Sequence, residues 1–185
     1  RWVDAVATTN QINSEFNITL SSMLVDSIQV LESVYRSAIT PTEASIIAWL
    51  YTDGHIDSKR HNASIAQSKL SNIPSIRGLL SGVPHSEYPP RDNGVIVWGL
   101  SFPWVRSLLL KANLLSGSLE QFVLSLPDVS RGCFLAAALA AEGWQQHGWA
   151  FAQNDNDTLQ AVKMAAFLSG YFPRVWSRGD SNQRI

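Results

Sequence analysis

Two carboxylates in this sequence each stand directly before a glycine at the end of an apolar stretch. Asp53-Gly54 ends the first stretch, and Glu142-Gly143 ends the second. One acid-glycine pair after a helix is usually only a helix stop, because glycine readily takes the left-handed conformation that closes a helix. Two copies in the same setting indicate that the two acids act together.

The chemistry open to such a pair is metal binding. Two carboxylates a few ångströms apart repel each other unless they share a proton or a cation. Their oxygen atoms suit Mg²⁺, with water completing the coordination shell. A Mg²⁺ pair or cluster between such acids supports in-line hydrolysis of a phosphodiester. Asp53 and Glu142 are therefore the first candidates for chemistry, provided that the fold brings them together.

Helices must position these acids. Thr40-Pro41-Thr42-Glu43 has the residues of a capping box with proline at the first helical position, so a helix begins there. We expect it to run to about Thr52 and to end at Gly54 in a left-handed conformation. In the second copy Ala136, Ala138, Ala140 and Ala141 permit close approach of two helix backbones across a pseudo-twofold axis.

The repeat extends beyond the helices. Ile65-Ala66-Gln67 returns as Phe151-Ala152-Gln153, and the helix end Leu79 to Gly82 returns as Phe167 to Gly170. Alternation and turn residues predict a hairpin at 55–69, a helix at 73–82, a second hairpin from strands at 85–88 and 95–101, and helices at about 103–115 and 118–125.

These patterns predict an α+β fold of two pseudo-symmetric halves. The first half covers residues 40–126 and the second covers 127–185, after a helical extension over 1–39. In the second half, 174–177 is read as a third strand and 179–182 as its turn, with no fourth strand or closing helix before Ile185. We expect the chain to be a fragment, or to be completed by another polypeptide.

Composition excludes several classes of protein. The 185 residues carry 14 basic and 15 acidic side chains, a net charge of −1, which argues against a strongly basic surface. One cysteine rules out a disulfide framework. Neither a membrane span nor a secretory signal is found, so we expect a soluble intracellular chain in the cytoplasm, nucleoid or an organelle matrix, and a start without Met indicates a trimmed or partial one.

The stretch Ile47 to Ile56 resembles the namesake motif of the LAGLIDADG homing endonucleases, and Leu135 to Gly143 resembles its degenerate second copy. The resemblance covers about residues 40–178. It implies two αββαββα halves, the second truncated, whose antiparallel sheets form a saddle over double-stranded DNA. Members of that family cleave DNA and are found free-standing, in introns or in inteins, so the resemblance also implies DNA cleavage. Intein splicing itself is unsupported, because no splicing nucleophile or His-Asn ending is present.

The resemblance assigns roles to individual residues. Asp53 and Glu142 match the acids that bind Mg²⁺, for which Ca²⁺ or Mn²⁺ substitutes, and Gly54 and Gly143 belong to the same metal positions. Gln67 and Gln153 match residues that order active-site water, and Lys69 is a charge partner near the scissile phosphate. One departure from the family is the stretch 98–103, which lacks the lysine often found there.

DNA recognition requires basic and amide side chains that reach phosphates and base edges. Arg91 and Arg178 fall on the two equivalent hairpin turns. The full set of candidates is Lys59, Arg60, Asn62, Ser64, Arg91, Asn93, Gln145, Gln146, Arg174 and Arg178.

Three functions remain open from sequence. The leading one is a site-specific, Mg²⁺-dependent DNA endonuclease that makes a double-strand break. The second is a nucleic-acid-binding or maturase-like module that no longer cleaves, which the near-neutral charge and the absent lysine favour. The third is a structural insert in a larger protein, in which both acids only cap helices.

Overall fold

The computed structural model describes residues 39–145, 149–154, 156–174, 176–178 and 182–184. The described residues all belong to one compact unit. The extension predicted over 1–39, including its helix, lies outside the described residues except for Ile39. No helix among the described residues has the length and hydrophobicity needed to cross a membrane.

The first acid-bearing helix, α1 (Pro41–Tyr51), begins as predicted. The Thr40 hydroxyl accepts the Glu43 backbone N–H at 3.2 Å, and the Glu43 carboxylate accepts the Thr40 N–H at 2.8 Å. These two bonds satisfy amide groups that have no partner inside the helix. Six of its residues, from Ala44 to Leu50, are buried, so α1 is a core helix of the fold.

The first half follows the predicted order of elements, and the second half follows it with one strand more than predicted. The first half contains β1 (Gly54–Asp57), β2 (Asn62–Gln67), α2 (Ile73–Leu80), β3 (His85–Tyr88), β4 (Ile96–Leu100) and α3 (Phe102–Lys111). A linking helix, α4 (Leu119–Ser125), leads to the second half. That half contains α5 (Asp128–Glu142), β5 (Gly143–Gln145), β6 (Trp149–Asn154), α6 (Asp157–Leu168), β7 (Trp176–Arg178) and β8 (Asn182–Arg184).

The two antiparallel sheets have the same topology, β1-β2-β4-β3 and β5-β6-β8-β7. Gly54 lies opposite Ile65 in the first sheet, and Gly143 lies opposite Phe151 in the second. This register places Gln67 and Gln153 at equivalent positions. The duplication read from the sequence is therefore present in the strand pairing.

The prediction that the second half lacks a fourth strand is wrong. Residues 182–184 form β8, which pairs with both β6 and β7. Asn182, read as a turn residue, is the first residue of this strand. A three-residue strand of polar residues has no hydrophobic alternation, so its pairing is not visible in the sequence.

The core lies around the contact between α1 and α5. The hydroxyl of Ser45 reaches across to the Cys133 carbonyl at 3.3 Å. Ala138 and Ala141 are buried as expected, whereas Ala136 is exposed. The close helix approach that the alanines predict therefore involves only part of the alanine run.

The glycines after the two acids have a role that the sequence reading missed. Gly143 has a φ of −84°, and neither it nor Gly54 is in the left-handed region. A Cβ atom at Gly54 would lie 2.5 Å from the Cα and carbonyl oxygen of Leu50, and one at Gly143 would meet the carbonyl oxygen of Leu139. Each strand turns back so tightly over its helix that no side chain fits.

We predict that Gly54→Ala or Gly143→Ala destabilises the chain by about 1–3 kcal/mol or more, because the new methyl group overlaps backbone atoms. Gly132→Ala is the matched control. Gly132 lies within α5 with open space around it, so alanine there should stabilise by about 0.5–1 kcal/mol. Urea unfolding measures all three changes, and equal effects at Gly54 and Gly132 would contradict the packing argument.

Candidate active site

The two acids meet at the base of the helix pair. Glu142 is the last residue of α5, and Asp53 follows α1 by two residues. The two acids are neighbours, because the charge of Asp53 acts on the carboxyl group of Glu142. One acid from each half thus contributes to a single site.

This arrangement changes the proton affinity of the pair. The pKa of Glu142 is raised, mainly by burial, then by the negative charge of Asp53 and by the hydrogen bond to it. The nearby Lys69 ammonium acts in the opposite direction. A divalent cation bound by both carboxylates would relieve the part of this shift that comes from their repulsion.

Gln67 orients Asp53 directly. Its side chain is only 4% exposed, and its Nε2 donates to Asp53 Oδ2 at 2.7 Å. Its Oε1 accepts the backbone N–H groups of Ser68 and Lys69 at 2.8 and 2.7 Å. Those two donors fix which end of the amide faces Asp53. The water-ordering role expected for Gln67 stays a prediction.

Lys69 stands between the halves. It follows β2 of the first half, yet its Nζ donates to the carbonyls of Ala140, at 3.4 Å, and Ala141 in α5. An ammonium group is favourable there, because the last carbonyls of a helix carry partial negative charge and lack helical partners. Lys69 therefore places a cation beside the acid pair and contacts the end of α5, and its role as a charge partner near the scissile phosphate stays a prediction.

The donor set fits Mg²⁺. The described residues contain no group of three or more histidines, cysteines, aspartates or glutamates close enough to hold a metal. Mg²⁺ typically uses one or two carboxylates, several waters and substrate phosphates, so two acids are sufficient. Asp53 and Glu142 are the residues that would hold it. Gly54 and Gly143 are the first residues of β1 and β5, and their part in metal binding stays a prediction.

The first-half DNA candidates lie on one strand and two turns. Asn62 and Ser64 alternate with buried residues of β2, so they point away from the core. Lys59 and Arg60 are exposed on the β1–β2 turn, where Arg60 lies 3.8 Å from Asp57. Arg91 and Asn93 are exposed on the β3–β4 turn. The four strands themselves contain no lysine or arginine.

The second-half candidates are less fully placed. Arg174 is exposed after α6. Gln145 ends β5, and Arg178 ends β7 rather than lying on the turn. Gln146 lies outside the described residues. Gln153 is half-buried on β6.

Two polar residues at the site escaped the sequence reading. Asn72 Nδ2 donates to the Ala140 carbonyl at 2.8 Å, and the Thr158 hydroxyl donates to the Tyr51 carbonyl at 3.2 Å. Both bonds cross from one half to the other. A residue near a helix start is read from sequence as a cap for its own helix, which conceals a contact of this kind.

The two matching sheets, the central helix pair and the paired acids define a LAGLIDADG-like fold. No protein-family model and no curated protein matches the chain. Among solved structures, it is similar to I-DmoI in complex with DNA and Mn, with a TM-score of 0.55 and 13% identity over 78% of this chain and 87% of that one.

The LAGLIDADG class also includes a second set of similar structures. The N-terminal LAGLIDADG domain of DUF199/WhiA has a TM-score of 0.56 and 10% identity, over 84% of this chain and 82% of that one. Full-length DUF199/WhiA from Thermatoga maritima has a TM-score of 0.58 and 9% identity, over 83% and 56%. At such identities the likeness establishes the fold alone.

We predict that Glu142→Gln flattens the dependence of stability on pH in the absence of divalent ions. A raised folded-state pKa means that stability is greatest below the ordinary glutamate pKa and falls as the pH rises through the raised value. Glutamine mimics the protonated acid, so Tm at neutral pH should rise, by less than about 4 °C because water screens a half-buried carboxyl.

Thermal unfolding between pH 4 and 8 checks this expectation. Asp92→Asn on the exposed β3–β4 turn is the control and should leave the profile unchanged. A Glu142→Gln profile as steep as that of the parent chain would contradict the repulsion described for the acid pair.

Proposed function

We propose that this chain is a site-specific, Mg²⁺-dependent DNA endonuclease of the homing type that makes a double-strand break. The observation that carries the proposal is the meeting of Asp53 and Glu142, one from each half, at the base of the helix pair. Similar solved structures are described as a homing endonuclease and as complexes with DNA and Mn or Ca, which supports DNA and divalent metal as ligands.

The residues of the chain supply orientation and charge. Mg²⁺ bound between Asp53 and Glu142 would neutralise charge on the scissile phosphate and lower the pKa of bound water. Gln67 holds one Asp53 oxygen by a 2.7 Å bond, which limits rotation of that carboxylate. Lys69 adds one positive charge beside two negative ones, so the site remains anionic enough to attract a cation.

Binding of DNA rests on the turns of the first sheet. The exposed Arg60 and Arg91 occur on separate hairpin turns, while the strands between them offer amide and hydroxyl groups such as Asn62 and Ser64. Few phosphate contacts should give a shallow dependence of affinity on salt.

We predict that Arg91→Ala weakens binding to all DNA sequences about equally and lowers the slope of log affinity against log salt by about 0.9, the value for one phosphate contact. Fluorescence anisotropy at several salt concentrations measures this slope. Arg106→Ala, on an exposed position of α3, is the control. An unchanged slope in Arg91→Ala would remove this residue from the DNA interface.

A cleavage-inactive nucleic-acid-binding or maturase-like module is the second candidate. The observation that favours it is the lack of lysine and arginine in all four strands of the first sheet, including β4, where the family often carries a lysine. This candidate predicts binding of nucleic acid without metal-dependent nicking. The intron or intein setting stays a prediction for either candidate.

We expect Asp53→Asn and Glu142→Gln each to abolish cleavage while DNA binding is kept, because each removes a negative metal ligand without changing its shape. A randomised duplex library is first selected in Ca²⁺, and the bound pool is then transferred to Mg²⁺ and its ends sequenced. Asp92→Asn is the matched control and should cut like the parent chain.

The outcomes of that selection separate the candidates. Defined breaks that require both acids support the endonuclease. Cutting by either acid variant would reject the assignment of the metal ligands. An enriched but uncut sequence would indicate the binding module, and no enrichment would favour the structural insert.

We also propose a site for the partner polypeptide expected from the sequence. In the first half, α3 contacts β2 and its Lys111 pairs with Glu43 of α1 at 2.8 Å. The matching face of the second half is a groove of about 830 Å³ between α5, β6 and α6, which Gly132 and Leu135 help to line. A further amphipathic helix would cover this groove as α3 covers its counterpart.

A further inference from the structure

Each acid-bearing helix ends against a side chain of the opposite half. The Ala140 carbonyl in α5 accepts the Asn72 amide at 2.8 Å, and the Tyr51 carbonyl in α1 accepts the Thr158 hydroxyl at 3.2 Å. Both carbonyls belong to the last turn of their helix, where helical N–H donors run out. The two bonds therefore satisfy acceptors beside the acid pair.

The two contacts are related by the internal repeat. Tyr51 precedes Asp53 by two residues, and Ala140 precedes Glu142 by two. On the donor side, Asn72 follows Gln67 by five residues, and Thr158 follows Gln153 by five. Equivalent positions of the two halves thus make reciprocal bonds across the pseudo-twofold axis, although the donor is an amide in one and a hydroxyl in the other.

Neither donor side chain is used to cap its own helix. Asn72 occupies the N-cap position of α2 but makes no side-chain capping bond there. The N-cap bond of α6 is made by Asn156 instead, whose side chain accepts the Leu159 N–H at 3.0 Å. Thr158 is 7% exposed and lies in the first turn of α6. Both side chains are therefore available to the other half.

We propose that Asn72 and Thr158 are reciprocal positioning residues, each of which fixes the helix end that carries the acid of the opposite half. The consequence for cleavage rests on the proposed function. Asn72 would hold the end of α5 and hence Glu142, and Thr158 would hold the end of α1 and hence Asp53. Neither residue is placed to touch metal or DNA in this scheme.

The two ends are not held identically. Lys69, two residues after Gln67, adds an ammonium group at the end of α5. The residue two places after Gln153 is Asp155, which has no positive charge to offer. The Glu142 end is consequently supported by an amide and a cation, whereas the Asp53 end receives the Thr158 hydroxyl.

Amide hydrogen exchange tests the reciprocity without any need for cleavage. The reporters are the Thr52 N–H, which donates to the Ala48 carbonyl, and the Gly143 N–H, which donates to the Leu139 carbonyl. Thr158→Val should speed exchange at Thr52 about 2- to 10-fold, as expected for one lost hydrogen bond, and leave Gly143 unchanged. Asn72→Ala should do the reverse.

Control variants separate positioning from general damage. Thr158→Ser keeps the hydroxyl and should restore the exchange rate of the parent chain. Asn93→Ala removes an asparagine whose side chain accepts a bond within its own turn, and should alter neither reporter. Equal acceleration of both reporters in both variants, or no acceleration in either, would overturn the proposal.

A second measurement links the bonds to the reaction. On saturating DNA in Mg²⁺, Thr158→Val and Asn72→Ala should each lower the cleavage rate about 10-fold or more while the Kd for DNA in Ca²⁺ stays unchanged, since small misplacement of a catalytic group is costly. Thr158→Ser should recover the rate. A cleavage rate unaffected by either variant would overturn the positioning role even with reciprocal exchange.

The two experiments fail independently. If the parent chain never cuts DNA, the proposed function is wrong, yet the exchange pattern still decides whether the cross-half bonds fix the helix ends. If the parent chain cuts and the exchange pattern is not reciprocal, only the positioning role is lost.

Discussion

The packing of α1 against α5 determines the rest of the molecule. Because this helix pair is buried at the centre, the residues at its lower end are forced together, and those residues are Asp53 and Glu142. The mutual repulsion of two such carboxylates works against the hydrophobic burial that creates their proximity. The hydrogen bond from Gln67 to Asp53 and the nearby Lys69 cation are the features that offset it.

The same helix pair explains why small residues occupy several positions in the sequence. Ser45 approaches the Cys133 carbonyl closely enough for a hydrogen bond, and Ala138 is completely buried. Below them, Gly54 and Gly143 let each chain reverse into a strand over the last helical turn. The strands consequently start at the acids, so each sheet is anchored to the site rather than joined to it through a flexible loop.

Much of this architecture is predictable from the sequence, because it depends on local signals and on repetition. The capping box at Thr40, the two hairpins of the first half and the pairing of acids from duplicated motifs all follow from residue types and spacing. The sequence reading fails where the cause is tertiary. Short polar β8 exists only through its neighbours, and the glycine requirement comes from a backbone approach that no propensity scale reports.

The candidate site likewise combines features that the sequence predicts with features that depend on tertiary contacts. Asp53 and Gln67 recur in order as Glu142 and Gln153, which is the signal that groups them in the sequence, whereas Lys69 has no such counterpart. The bonds that connect these residues depend on which atoms meet across the two halves. Asn72 and Thr158 had no such signal, since an asparagine before a helix and a threonine within its first turn are ordinary at those positions.

The cross-half bonds also constrain how the two halves can change over time or be recombined. Each acceptor is a backbone carbonyl, which is present whatever residue occupies that position, so a half transplanted from another chain of this fold would find its acceptor wherever the opposite helix ends at the same place. The donor side chain and the end point of the opposite helix are therefore the features to keep, and chimaeras should work best when both helices have matching lengths and each half carries an amide or hydroxyl at the donor position.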